Sequence, residues 1–149
     1  MQATPFLDYL KEEINGTHFI MQRILSELDS TEAIVVDVRF NGGGFDRIAF
    51  AILSHFIGQS KNVLTTYARN DEGFTKKQGY VLKPADSAYS GKIFILTSPF
   101  TASAAEMFTM GSLPYKNIVR MGSRTNGIFS EILWKKLPNG WEFSLSNEV

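Results

Sequence analysis

The stretch Thr101-Ala102-Ser103-Ala104-Ala105-Glu106 stands between two segments of different character. Before it, Lys92 to Thr97 is mostly apolar and rich in Ile and Phe, which reads as a short buried strand. After it, Ala104 to Met110 is built of good helix formers. A serine on a sharp strand-to-helix turn has the geometry of an activated nucleophile. Its hydroxyl projects from the sheet edge, and the helix N-terminus offers free amides and a positive dipole end. Ser103 and Glu106 also fit the capping box Ser-x-x-Glu, in which each side chain satisfies an amide at the start of the helix. On this segment alone the cap is the commoner explanation.

A second segment, Asp37-Val38-Arg39-Phe40-Asn41-Gly42-Gly43-Gly44, ends another apolar run and opens a second helical pattern. Consecutive glycines admit positive φ and let a substrate approach the backbone closely. Their amides could face a developing oxyanion. Alternatively they form only a flexible connection, with Asp37 and Arg39 paired locally. No Gly-Lys-Ser/Thr ending follows, so the run is not a phosphate loop.

The elements that must position these segments follow from periodicity. Met21, Ile24, Leu25 and Leu28 predict an amphipathic helix over about 17–29 with Thr17 as N-cap. Ala33 to Phe40 reads as a strand, and its continuous apolar start suits a sheet covered on both faces. A helix from about 46 to 57 follows, then a β-branched strand over 62–68. Residues 69–91 are polar and turn-rich, with a short strand near Tyr80. After the strand at 92–97 come a helix over 103–111, a strand over 116–121, and a hairpin around Pro138-Asn139-Gly140. Strands alternating with helices imply an α/β layered domain.

At 149 residues the chain reads as one domain. Fifteen basic residues balance fifteen acidic ones, which argues against nucleic acid as partner. Apolar runs are too short to span a bilayer. With no cysteine, two histidines and no clustered carboxylates, thiol chemistry is excluded and neither a metal nor another cofactor is expected. The first residues lack the pattern of a signal peptide, and the alternating segment Trp141 to Ser146 has no closing element after it. The expectation is therefore a core, about 17–149 with 1–16 flanking it, from a larger catalytic domain whose other parts lie upstream and downstream.

Taken together, the two segments resemble one family. Asp-x-Arg-x-Asn-Gly-Gly-Gly after one strand, and Thr-Ala-Ser-Ala-Ala-Glu after another about sixty residues on, are similar to the core of the C-terminal processing (tail-specific) and tricorn-type serine peptidases. Gly122-Ser123-Arg124-Thr125-Asn126-Gly127 sits where that family has Gly-Glu-x-Thr-x-Gly, and the Leu137-Pro138-Asn139-Gly140 turn also matches. The resemblance implies a crotonase-like ββα superhelix shared with Clp protease. It also implies Ser103 as nucleophile, Ala104 as one oxyanion donor, and Gly43 or Gly44 as the other. A peptide or protein would be the substrate, a homo-oligomer is an option, and the bacterial cell envelope is suggested by the family alone.

One position departs from the pattern. The tail-specific branch carries a lysine base twenty-five residues after the serine, where this chain has Ile128. The tricorn-type branch, to which the chain is nearer in this respect, uses an upstream histidine. His18 and His55 fall on predicted helices and are assigned no catalytic role. The chain alone is thus expected to lack its general base. Two other functions remain beside the peptidase: a non-catalytic relative binding a peptide or apolar ligand in the same cleft, and an acyl-CoA enzyme sharing only the fold. Ser103 in its motif speaks against the second of these. Glu106 reads as cap partner, Asp37 and Arg39 as a strand-end pair, and Phe40, Phe45 and Phe129 as core or rim packing more than pocket lining.

Overall fold

The computed structural model describes residues 5–130 and 132–146. Its centre is a three-stranded parallel sheet: β1 (Ala33–Asp37) at one edge, β6 (Lys92–Thr97) in the middle and β7 (Ile118–Gly122) at the other edge. Between β1 and β6 run helix α2 (Asp46–Ser54) and four strands, β2 (Lys61–Thr66), β3 (Arg69–Asn70), β4 (Gly73–Phe74) and β5 (Gln78–Leu82). β2 pairs antiparallel with β5, and β3 with β4. Helix α3 (Ala104–Gly111) joins β6 to β7, and the chain closes with the β8 (Ile132–Lys136) and β9 (Glu142–Ser146) hairpin. A 23-residue helix, α1 (Pro5–Glu27), precedes the sheet.

The period-two pattern of the sheet sorts its side chains cleanly. Ile34, Val36, Ile93, Ile95 and Ile118 alternate with the outward set and pack with Leu53, Phe50, Ala105 and Phe108 of α2 and α3 in the main core. The other face carries Val35, Phe94 and Val119 in one register row. That face corrects the sequence expectation of cover on both sides. Val35 is 60% exposed, and Val119 and Met121 are also open. The apolar run of β1 is real, but among the described residues only one layer of helices packs on it.

Other boundaries differ as well. α1 begins at Pro5, within the segment read as flanking, and Thr17 is not its N-cap. The Thr17 hydroxyl donates back to the carbonyl of Glu13 at 2.8 Å, the interior bond a helical threonine makes to the preceding turn. β1 stops at Asp37, because Asp37 turns its carboxylate onto the amide and guanidinium of Arg39. α2 ends at Ser54, with His55 as C-cap. The strand at 92–97, the helix after Ser103 and the final hairpin stand where the sequence places them.

Candidate active site

Parallel pairing aligns Ala33 with Lys92 and Asp37 with Leu96, so β1 and β6 finish level. The loops that leave their carboxyl ends therefore meet, the place where open α/β sheets bind ligands. Three bonds fasten one loop to the other, and a fourth ties Val38 to the end of β6. The Thr101 hydroxyl donates to the carbonyl of Val38 at 2.9 Å, and the Ala102 amide to that of Asn41 at 3.1 Å. The Ser98 hydroxyl donates to the carbonyl of Arg39, and the Val38 amide reaches Leu96 at 3.1 Å. Thr101 is fully buried, which fixes the serine turn to the glycine turn from inside.

Ser103 lies at the sharpest point of this junction. Its φ of 53° and ψ of −127° make it the one non-glycine residue with positive φ among the described residues. Such a conformation costs on the order of 1–3 kcal/mol and persists only where neighbours hold it. Three neighbours do. The Ser103 amide donates to the carbonyl of Ile128 at 2.8 Å, and to Oε2 of Glu106 at 3.2 Å. The Ser103 carbonyl accepts from the amides of Glu106 and Met107 at 2.8 and 3.0 Å, opening α3.

Glu106 does more than cap. Its side chain is 1% exposed, and Oε1 accepts the Gly127 amide at 2.7 Å while Oε2 accepts the Ile128 amide at 2.8 Å. The capping box is thus present, and its carboxylate also pins the loop after β7 against the serine turn. Thr97 and Thr101 add to this clamp, through bonds from Thr97 to Ser123 and from the Asn126 amide to Thr101. Sequence reasoning read Glu106 correctly as cap partner. It missed the link to residues 127–128, which lie 21 and 22 positions away.

The glycine turn packs directly on the serine. Gly43 has φ of 116°, and a Cβ there would lie 2.5 Å from Cβ and 3.0 Å from Oγ of Ser103. Only a glycine fits this approach. Gly43, Gly44 and Ala104 line one cavity of about 460 Å³, whose walls include Val36, Phe45, Ile52 and Phe108, with Glu13 of α1 also lining it. The four residues expected at the site are thus brought together. The Gly43 amide is held by Oδ1 of Asn41 at 2.9 Å.

The remaining motif residues sort into support and rim. Asp37 and Arg39 form the local pair expected, at 2.7 Å. Hydrogen bonds from the Arg39 side chain, then from its amide, hold the Asp37 carboxyl down at about 2. Phe40 and Phe100 stack with centroids 5.9 Å apart at the exposed edge, and Phe129 is exposed as well. Phe40 and Phe129 thus lie at the rim, within the expectation of core or rim packing, whereas Phe45 departs from it and lines the cavity. His18 and His55 line a different cavity, on the other side of α2.

Comparison with known proteins gives the family. Residues 12–148 match the model of peptidase family S41, and the chain belongs to that family. It is 27% identical over 109 residues to the tail-specific protease of Haemophilus influenzae, a match covering 72% of this chain and 15% of that protein. A peptidase structure from Parabacteroides merdae superposes with a TM-score of 0.79 at 24% identity, over 91% of this chain and 43% of that one. The photosystem II D1 C-terminal processing protease gives 0.68 at 19% identity, over 90% and 34%. The fold is accordingly the mixed α/β core of these peptidases, and the chain spans less than half the length of each of these three relatives.

Two stability outcomes follow from the packing. Gly43→Ala should lose about 2–4 kcal/mol, since positive φ and a backbone-side clash act together. Gly42→Ala, with open space around it, should stay within about 1 kcal/mol of the parent. Urea unfolding of both variants checks the contrast. Glu106→Gln places an NH₂ against amides that need an acceptor and should lose about 2–5 kcal/mol. It should also raise hydrogen exchange at Gly127 and Ile128, and unchanged exchange there would contradict the clamp.

Proposed function

We propose that this chain carries the nucleophile and the oxyanion donors of a serine endopeptidase that cleaves unfolded or carboxy-terminal protein segments. The observation that supports this most is the strained backbone of Ser103 at a strand-to-helix turn, with Gly43 in contact and a shared cavity beside it. Strain held by so many bonds at one residue is a feature of working sites. In the proposed reaction, Oγ of Ser103 bonds to the scissile carbonyl carbon, and the carbonyl electron pair moves onto oxygen. The Ala104 amide and the Gly44 amide stabilise that oxyanion, with the positive end of α3 behind them. Each such donor contributes about 2.7–4 kcal/mol to the transition state in related chemistry.

The proton leaving Ser103 needs a base. Residue 128 is held beside the serine through its own backbone, yet its side chain is an exposed isoleucine. We therefore take 1–149 as part of a catalytic core whose base comes from elsewhere in a larger protein, consistent with relatives more than twice as long. Ile128 also favours a second reading for the chain alone, namely retention of a peptide in the cleft without cleavage. Association of several copies would be a further route to a complete site.

The test follows from position 128. The parent chain should turn over casein or unstructured peptides barely or not at all. Ile128→Lys should raise labelling of the protein by a fluorophosphonate probe at least about tenfold, because a serine without a base is a weak nucleophile. Ser103→Ala in that background should abolish it. Probe labelling indifferent to both changes would overturn the assignment of Ser103.

A further inference from the structure

His18 of α1 and His55 at the end of α2 are separated by 37 positions and meet with Nδ1 of the first 2.8 Å from Nε2 of the second. Their ring centroids are 5.0 Å apart. His55 is fully buried, and its Nδ1 lies 3.2 Å from the carbonyl of Ser87. A carbonyl only accepts, so Nδ1 of His55 carries a proton. In the neutral ring its Nε2 must then accept, and Nδ1 of His18 must donate. The chain of bonds is therefore directional, from His18 to His55 to Ser87. It leaves Nε2 of His18 as the open end, on a residue that lines a cavity of about 650 Å³.

We infer that this pair is a pH-sensitive latch holding α1 on α2, closed while His55 is neutral and opened when His55 takes a second proton. A proton on Nε2 of His55 sets two donors against each other at 2.8 Å, and no ring flip mends this while Ser87 holds Nδ1. Burial, opposed in part by the Ser87 bond and aided by the neighbouring His18, keeps His55 below the ordinary histidine range. The charged groups around the same cavity are Arg47 on α2 and Lys83 and Asp86 on the segment after β5, with the Tyr80 hydroxyl. The two cations oppose protonation and Asp86 favours it.

The sign follows from the lowered value. Above an unfolded histidine value of about 6.5, both states are neutral and the latch is at full strength. As pH falls below that value, the unlatched state gains protons that the latched state refuses, and the closed form weakens. The consequence reaches the cleft, because α1 also places Glu13 in the lining of the cavity beside Gly43, Gly44 and Ala104. Acidification should therefore loosen one wall of that cavity. The latch itself does not depend on the peptidase assignment.

Two measurements on the full chain test it. Amide exchange across residues 17–25, corrected for intrinsic rate, should rise at least tenfold between pH 7.5 and 5.0. His55→Gln keeps an acceptor oxygen facing His18 but never titrates, so the same rise should be absent. A rise that persists in His55→Gln, or its absence in the parent, overturns the proposal. Should His55→Gln fail to fold, imidazole ¹⁵N shifts of the parent decide. They should report His55 as the Nδ1–H tautomer at pH 7.5, titrating below the ordinary range. The Nε2–H tautomer, or an ordinary midpoint, would overturn it.

Discussion

The site depends on the level pairing of β1 with β6. Because Asp37 and Leu96 are register partners, the chain leaves both strands at the same height, and two loops of unrelated sequence are forced into contact. The bonds from Thr101 to Val38 and from Ala102 to Asn41 exist only in that register. A parallel strand that slipped by one residue would reverse its buried face, taking Ile93 and Ile95 out of the core. The core therefore fixes the register, and the register brings the glycine turn against the serine turn.

Given that contact, the cap and the nucleophile-like turn cease to be alternatives. Glu106 satisfies the start of α3 and, through its buried carboxylate, two amides of the following loop. Hydrogen bonds to a charged acceptor contribute about 1.5–3 kcal/mol each, enough to offset strain of about 1–3 kcal/mol at Ser103. The helix cap is the device that holds Ser103 in an unfavourable backbone conformation. Gly43 completes it by having no side chain where Ser103 needs room.

How much of this was legible in the sequence varies with the range of the interaction. The β6 strand could be read to the residue, because an apolar run between Gly91 and Ser98-Pro99 has one local solution. The capping box and the final hairpin were equally local. Thr17 misled because its residue type suits a cap, whereas inside a long helix its hydroxyl finds the Glu13 carbonyl. The short β3–β4 pair lies in a polar segment without alternation, so no period announced it. The tie from Glu106 to residues 127–128 and the His18–His55 pair join residues far apart in sequence. Nothing in either local pattern marks its partner. The open face of the sheet could not be read from β1, since an apolar run looks the same whether or not a second layer covers it.

The central claim is that Ser103 and two backbone amides converge on one reacting oxygen. A crystal structure of the chain with a peptidyl boronate tests it most directly. The account predicts a covalent bond from Oγ of Ser103 to boron, with one boronate oxygen about 3 Å from the amides of both Ala104 and Gly44. A boronate that leaves Ser103 free, or an adduct whose oxygens face away from both amides, would contradict it.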